Sequence, residues 1–120
     1  MNLNKIIYWI ATGLFTVLML FSVSNYFFNN ATIREAFTGF GYPTYIIYPL
    51  AIAKLLGLVA ILSRKSELLK EWAYAGFFYN VVLAFFAHVM INDNQQWGAL
   101  AAMVLLLTSY FFQRRAFAND

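Results

Sequence analysis

The stretch YPLAIAKLLGLVAIL, residues 48–62, is an apolar run with a single lysine, Lys54, set almost at its centre. It lacks the apolar–polar alternation of a transmembrane barrel strand, so it reads as a helix. Working outward, the run extends back to residue 45, and three more of the same kind lie at 6–28, 72–91 and 97–112. Each is near the roughly 20 residues with which a helix crosses ~30 Å of hydrocarbon, the last being the shortest. The fold predicted is an all-α integral membrane four-helix bundle, with helices at about 6–28, 45–62, 72–91 and 97–112 in one domain over residues 1–120.

Composition agrees with that reading. Of 120 residues, 62% are hydrophobic and 11% charged, against about 25% charged in ordinary soluble domains. So few charges cannot screen so much apolar and aromatic surface from water, which leaves lipid as the solvent. The formal charge is +3, but all of the eight Lys and Arg except Lys54 sit at segment ends or in loops and they form no basic stripe, so nucleic acid is not an expected partner. The absence of cysteine removes disulfides, thiolate nucleophiles, iron–sulfur ligation and CxxC exchange. One histidine and few acidic residues do not build a tetrahedral zinc site without a second chain. No Gly-rich phosphate loop and no GxSxG elbow is present. No catalytic residue is assigned, and a stand-alone enzyme is not expected.

With four spans, the N-terminus, the loop at 63–71 and the C-terminus share one side, which holds Lys5, Arg64, Lys65, Lys70, Arg114 and Arg115. The other side, formed by loops at 29–44 and 92–96, holds only Arg34. The positive-inside rule then puts both termini in the cytoplasm, and the expected address is a bacterial inner membrane. Tyr8, Trp9, Trp72 and Tyr110 are expected in the inner aromatic belt, and Tyr26, Tyr42, Tyr45 and Trp97 in the outer one. The first run is too long for a signal-peptide core of about 7 to 15 residues, so it is expected to be retained as an anchor. In the first loop, Thr32 and Glu35 fit a capping box, and Gly39 or Gly41 can end what it starts. A short interfacial helix is predicted there, between helices 1 and 2.

Lipid competes with every apolar side chain, so the bundle is expected to close on small residues and polar contacts. Candidate inner stripes are Gly13, Thr16, Leu20 and Ser24; Ala53, Gly57 and Ala60; Ala73, Gly76, Asn80, Ala84 and Ala87; and Gly98, Ala102, Leu105 and Ser109. The aromatics Phe77, Phe78, Phe85 and Phe86 are expected to face outward. Reflecting Lys54 through the inner loop lands on Asn80, and reflecting Asn80 through the outer loop lands on Thr108 and Ser109. These residues are expected to form one polar layer near the midplane. A charged group there costs roughly 2.5 to 3.5 kcal/mol by insertion measurements, so something must offset it. Two readings stay open: a structural tie to Asn80 and a hydroxyl, or a site for the polar head of a lipophile or a proton. His88, two turns beyond Asn80, is either a hydrogen-bonded wall residue or, in a functional role, a proton shuttle or a quinone-carbonyl donor. At the inner rim Glu71, next to Trp72, can pair with Arg64, Lys70 or Arg114, an exposed arrangement worth about 0–1 kcal/mol.

The segments GYPTYIIYPLAIAKLLGLVAIL and LKEWAYAGFFYNVVLAFFAH, followed by the Ser109–Tyr110 pair, resemble the DoxX-like family of small four-helix membrane proteins. The resemblance runs from about residue 37 to 110 and marks Tyr42, Pro43, Lys54, Gly57, Glu71, Trp72, Gly76 and His88 as motif positions. Asn80 stands where the family pattern leads one to expect an aspartate, so a Lys–Asp ion pair with Lys54 is not available. The wider superfamily implies membrane redox roles, including a subunit associated with thiosulfate and quinone oxidoreduction, and also a receptor-assembly chaperone. Two functions follow as expectations. One is an accessory subunit of a membrane redox system that binds a quinone or another lipophilic ligand at Lys54, Asn80, His88 and Ser109. The other is an assembly factor or scaffolding subunit without small-molecule chemistry. The expected partners are the lipid bilayer and either another membrane protein or a second copy of the chain.

Overall fold

A computed structural model describes residues 2–91 and 96–117, and every regular element among them is helical. In chain order these are α1 (Leu3–Phe28), α2 (Asn30–Phe40), a 3₁₀ turn (Thr44–Ile46), α3 (Ile47–Ser63), α4 (Glu67–Ile91) and α5 (Gln96–Ala116). Among the described residues, three segments are long and apolar enough to cross a membrane: Leu3–Phe28, Thr44–Ser63 and Glu67–Met90. The predicted outer loop falls at 92–95, outside the described residues, and Gln96 already belongs to α5.

The helices outrun the apolar segments because polar residues cap them instead of breaking them. Asn2 Oδ1 accepts from the Lys5 amide at 2.8 Å and starts α1, while Ser66 Oγ accepts from the Leu69 amide at 3.2 Å and starts α4. Each satisfies an orphan N–H of a first turn. Arg114 and Arg115 lie in the last turn of α5, where cations favour the carbonyl end of the dipole. The capping box expected at Thr32 and Glu35 is not used. α2 begins two residues earlier, at Asn30, so Thr32 lies inside it. Its end is as expected at Gly41, which adopts φ 83°, a left-handed conformation that only glycine takes without strain. The Gly41 amide donates to Thr38 O at 3.0 Å and the Tyr42 amide to Phe37 O at 2.9 Å, and the Phe37 and Tyr42 rings meet with centroids 6.2 Å apart. That is a Schellman stop with its hydrophobic contact, and it gives Tyr42 a structural role. Pro43 follows at φ −65° and leads into the 3₁₀ turn.

The most extensive packing is between α1 and α5, followed by α4 with α5, α3 with α4 and α1 with α3, while α2 lies across α1 and α4. The stripes of small residues form the core only in part: Ala102 and Ser109 of α5 and Ala87 of α4 are buried, whereas the stripe of α1 is mostly exposed. On α1 the buried face is Tyr8, Ala11, Thr12, Phe15, Met19, Val23 and Tyr26, and Gly13, Leu20 and Ser24 are exposed. On α4, Tyr74, Phe77, Val81 and Ala87 are buried, whereas Gly76 is exposed. Large rings fill the interior because they pack edge to face: Phe15 against Phe77 at 5.0 Å, and Tyr26 against Phe37 at 5.8 Å. Phe77, expected to face outward, is therefore a core residue. Its ring lies so close to Gly57 that a Cβ there would sit 2.8 Å from Phe77 Cε2. Tyr8 and Tyr26, assigned to the aromatic belts, are buried, while Trp9, Tyr45, Trp72 and Trp97 are exposed.

Candidate functional site

Lys54 lies on the buried face of α3, in the ladder Ile47, Ala51, Lys54, Leu58, Ile61, and is 5% exposed. Its ammonium donates to Ser22 Oγ at 2.9 Å and to Tyr26 Oη at 3.1 Å, and stands 4.3 Å from the centre of the Tyr26 ring. Ser22 and Tyr26 are one turn apart on α1, so both hydroxyls present to the same point on α3. The lysine is thus tied to α1, and not to Asn80 or Ser109 as the loop-reflection argument expected. The signal for these partners was in the sequence, as two hydroxyl residues four apart in an apolar helix.

Ser109 belongs to a second polar cluster. Its Oγ is 2.6 Å from Thr12 Oγ1 and 2.7 Å from Tyr74 Oη, and Thr16 Oγ1 donates to Thr12 O at 2.7 Å. Along α1, Phe15 and Met19, both core residues, lie between Thr12 and Ser22 and so separate the two clusters. Thr108, the alternative partner, instead donates to its own helix at Val104 O, 2.8 Å away. Ser109→Ala is expected to lower bundle stability by about 1–2 kcal/mol, because it removes a hydrogen-bond partner from two buried hydroxyls at once, those of Thr12 and Tyr74. Unfolding in mixed detergent micelles followed by circular dichroism measures this, and a wild-type midpoint would show that the cluster is not holding α1, α4 and α5.

Asn80 and His88 do converge with Lys54, around open space. A cleft of about 520 Å³ is bounded by α1, α2, α4 and α5, with Lys54 of α3 among its walls. Ser22, Asn25, Tyr26, Lys54, Asn80 and His88 supply its polar surface. The His88 ring meets Phe40 of α2 edge to face at 5.0 Å, which seats α2 over the cleft. A lateral groove of about 420 Å³ runs between α3 and α4 and reaches the same Lys54 and Asn80. Its lining includes the small residues Ala53, Gly57, Ala60, Ala73 and Gly76 beside Leu50, Leu56, Leu69, Trp72 and Phe77. The stripes read as packing faces thus form an opening: where α3 and α4 carry no bulk, a trough remains. A third space of about 350 Å³, walled by Tyr26, Tyr42, Tyr79 and Asn80, adjoins both. Asn80 lines all three, half-buried at their junction.

The inner rim is a separate arrangement. Glu71 accepts from Tyr110 Oη at 2.9 Å and lies 3.8 Å from Arg114, so of its three expected partners it takes Arg114. Lys70 is buried and pairs with Glu67 at 2.9 Å. Arg64 donates to Tyr8 Oη at 3.1 Å and stacks 3.7 Å from the Phe117 ring centre. Trp72 is exposed beside this network. Among the described residues, no group of three or more His, Asp or Glu side chains is placed to hold a metal ion.

No match was found among curated proteins or among solved structures. A family model, that of the DoxX-like family, matches residues 10–111, which takes in α1 from Ile10, all of the cleft-forming segments and α5 up to Phe111. The chain therefore belongs to the DoxX-like family of small membrane proteins.

Proposed function

We propose that this protein is an integral membrane four-helix bundle of one domain, in which α1, α3, α4 and α5 span and α2 lies at the outer interface. Both termini face the cytoplasm, and the membrane is a bacterial inner membrane. In this bundle the protein serves as an accessory subunit of a redox system and binds a quinone-like lipophile. The longest dimension, 47 Å, is close to the ~40–45 Å of a bilayer with its headgroup regions. The two arginines at the end of α5 and Arg64 and Lys65 after α3 support the orientation.

The observation that carries the ligand reading is the meeting of a polar-walled cleft and an apolar lateral groove at Lys54 and Asn80. Ligand sites are mostly apolar spaces of about 300–1,000 Å³ with a few convergent polar groups. A lipophile enters from the bilayer between α3 and α4, its tail stays against Gly57 and Gly76, and its carbonyl accepts hydrogen bonds from Lys54 and the Asn80 amide. His88 bounds the far end. The chain positions the ligand, and a partner protein exchanges electrons with it.

Native mass spectrometry of the protein gently extracted from its own membranes tests this reading. A quinone-sized mass bound one to one on wild type, and lost in a folded Lys54→Met variant, is the expected result. A chain without that mass that carries a reproducible protein partner would replace this reading with that of an assembly or scaffolding subunit.

A further inference from the structure

We infer that the same site also takes an anionic ligand in competition with the quinone-like lipophile: a single-chain amphiphile with its carboxylate head at Lys54 and its acyl chain in the groove between α3 and α4. This rests on the reading of the cleft and groove as a lipophile site.

The lysine has hydrogen-bond partners but no counter-charge. Both acceptors, Ser22 Oγ and Tyr26 Oη, are neutral hydroxyls, and among the described residues no carboxylate lines the cleft or the groove. The acids are used elsewhere: Glu67 pairs with Lys70, Glu71 with Tyr110 and Arg114, and Glu35 is exposed on α2. Asp93 and Asp120 lie outside the described residues. An ammonium buried without an opposite charge is strongly disfavoured, and an arriving anion relieves it, whereas a neutral head gains one hydrogen bond only.

The surrounding groups suit an oxyanion. The Ser22 and Tyr26 hydroxyls accept from Lys54 and still carry protons to donate, and the Asn80 amide adds N–H donors at the junction of the two spaces. A carboxylate offers two oxygens with about four lone-pair sites, enough to meet several of these donors at once. The groove selects the tail. Small Ala and Gly residues line it among Leu50, Leu56, Leu69, Trp72 and Phe77, and its volume of about 420 Å³ suits one unbranched chain rather than two.

The test compares oleate with oleyl alcohol, which share one hydrocarbon chain and differ in the head, by titration of delipidated protein in native mass spectrometry. The pH is set so that oleate is ionised. Oleate is expected to bind one to one and about tenfold or more tighter than the alcohol, the effect of one charge-assisted hydrogen bond. In Lys54→Met the preference should vanish while alcohol binding persists. Equal binding of acid and alcohol on wild type would overturn the anionic head and leave the lipophile site standing. A preference that survives in Lys54→Met would place the acid elsewhere and also overturn it. Binding of neither probe would remove the lipophile reading as well. The primary comparison is made on the wild-type chain, so it does not depend on how the variant folds.

Discussion

Phe77→Ala is expected to lower the stability of the bundle by about 2–3 kcal/mol, the cavity part of a Phe→Ala change in a packed core. The ring is 4% exposed, stands edge-on to Phe15 at 83° and closes directly on Gly57. It therefore ties α4 to both α1 and α3. In a soluble protein the same truncation costs roughly 3–5 kcal/mol, because lost transfer from water adds to the cavity. Inside a bilayer the reference solvent is itself hydrocarbon, so the transfer part largely drops out and the packing part remains. The absent Cβ of Gly57 makes the loss harder to repair, since the α3 residue against the ring has no side chain to move into the hole. Phe86, 57% exposed on the same helix, is the control, and its replacement by alanine should fall within about 0.5 kcal/mol of wild type. Detergent-induced unfolding followed by circular dichroism reads both. Equal losses at the two positions would show that Phe77 is not the contact that organises the interior.

The helices were legible because uninterrupted apolar runs leave the backbone no other way to satisfy its hydrogen bonds in lipid. Their ends were less legible. Glu67, Ser66 and Arg114 are polar, and a reading based on apolarity stops before them, although capping and the helix dipole let α4 and α5 continue. The inward faces were misread on α1, where glycine and serine were taken for the packing stripe. The observed face repeats as Tyr8, Thr12, Phe15, Met19, Val23 and Tyr26, a helical period of large residues that shape complementarity selects and a small-residue rule overlooks. Lys54, Asn80 and His88 line one cleft. Ser22 and Tyr26 were missed because levels were assigned by reflection through loops, and the connection from α1 to α3 is no simple loop. It folds into α2 and a 3₁₀ turn, which shifts the register between the two helices by an amount that residue counting does not give. The split of Ser109 from Lys54 has the same origin: depth along the axis can be counted, but which neighbour a side chain faces around the axis cannot.

Lys54→Met is expected to leave the bundle at least as stable as wild type, and to raise its stability by about 1 kcal/mol. Removing an ammonium from the centre of a spanning helix relieves roughly 2.5–3.5 kcal/mol by insertion measurements. Against this stand the two hydrogen bonds to Ser22 and Tyr26, each worth about 0.6 kcal/mol if they follow the average for interhelical contacts in a membrane. The contact with the Tyr26 ring adds about 0.5–1 kcal/mol. The hydroxyls left behind are one turn apart on α1, where such groups bond locally to backbone carbonyls, as Thr16 does to Thr12 O. Methionine follows the flexible stem of lysine and refills the space against Ala51 and Leu58. Unfolding in mixed micelles, with ligand-free protein, decides the matter. A loss of more than about 1 kcal/mol would make Lys54 a structural tie, since the contacts would then outweigh the buried charge. A gain means that the fold tolerates the lysine at its own expense, as expected of a group placed for a ligand that supplies the missing partner.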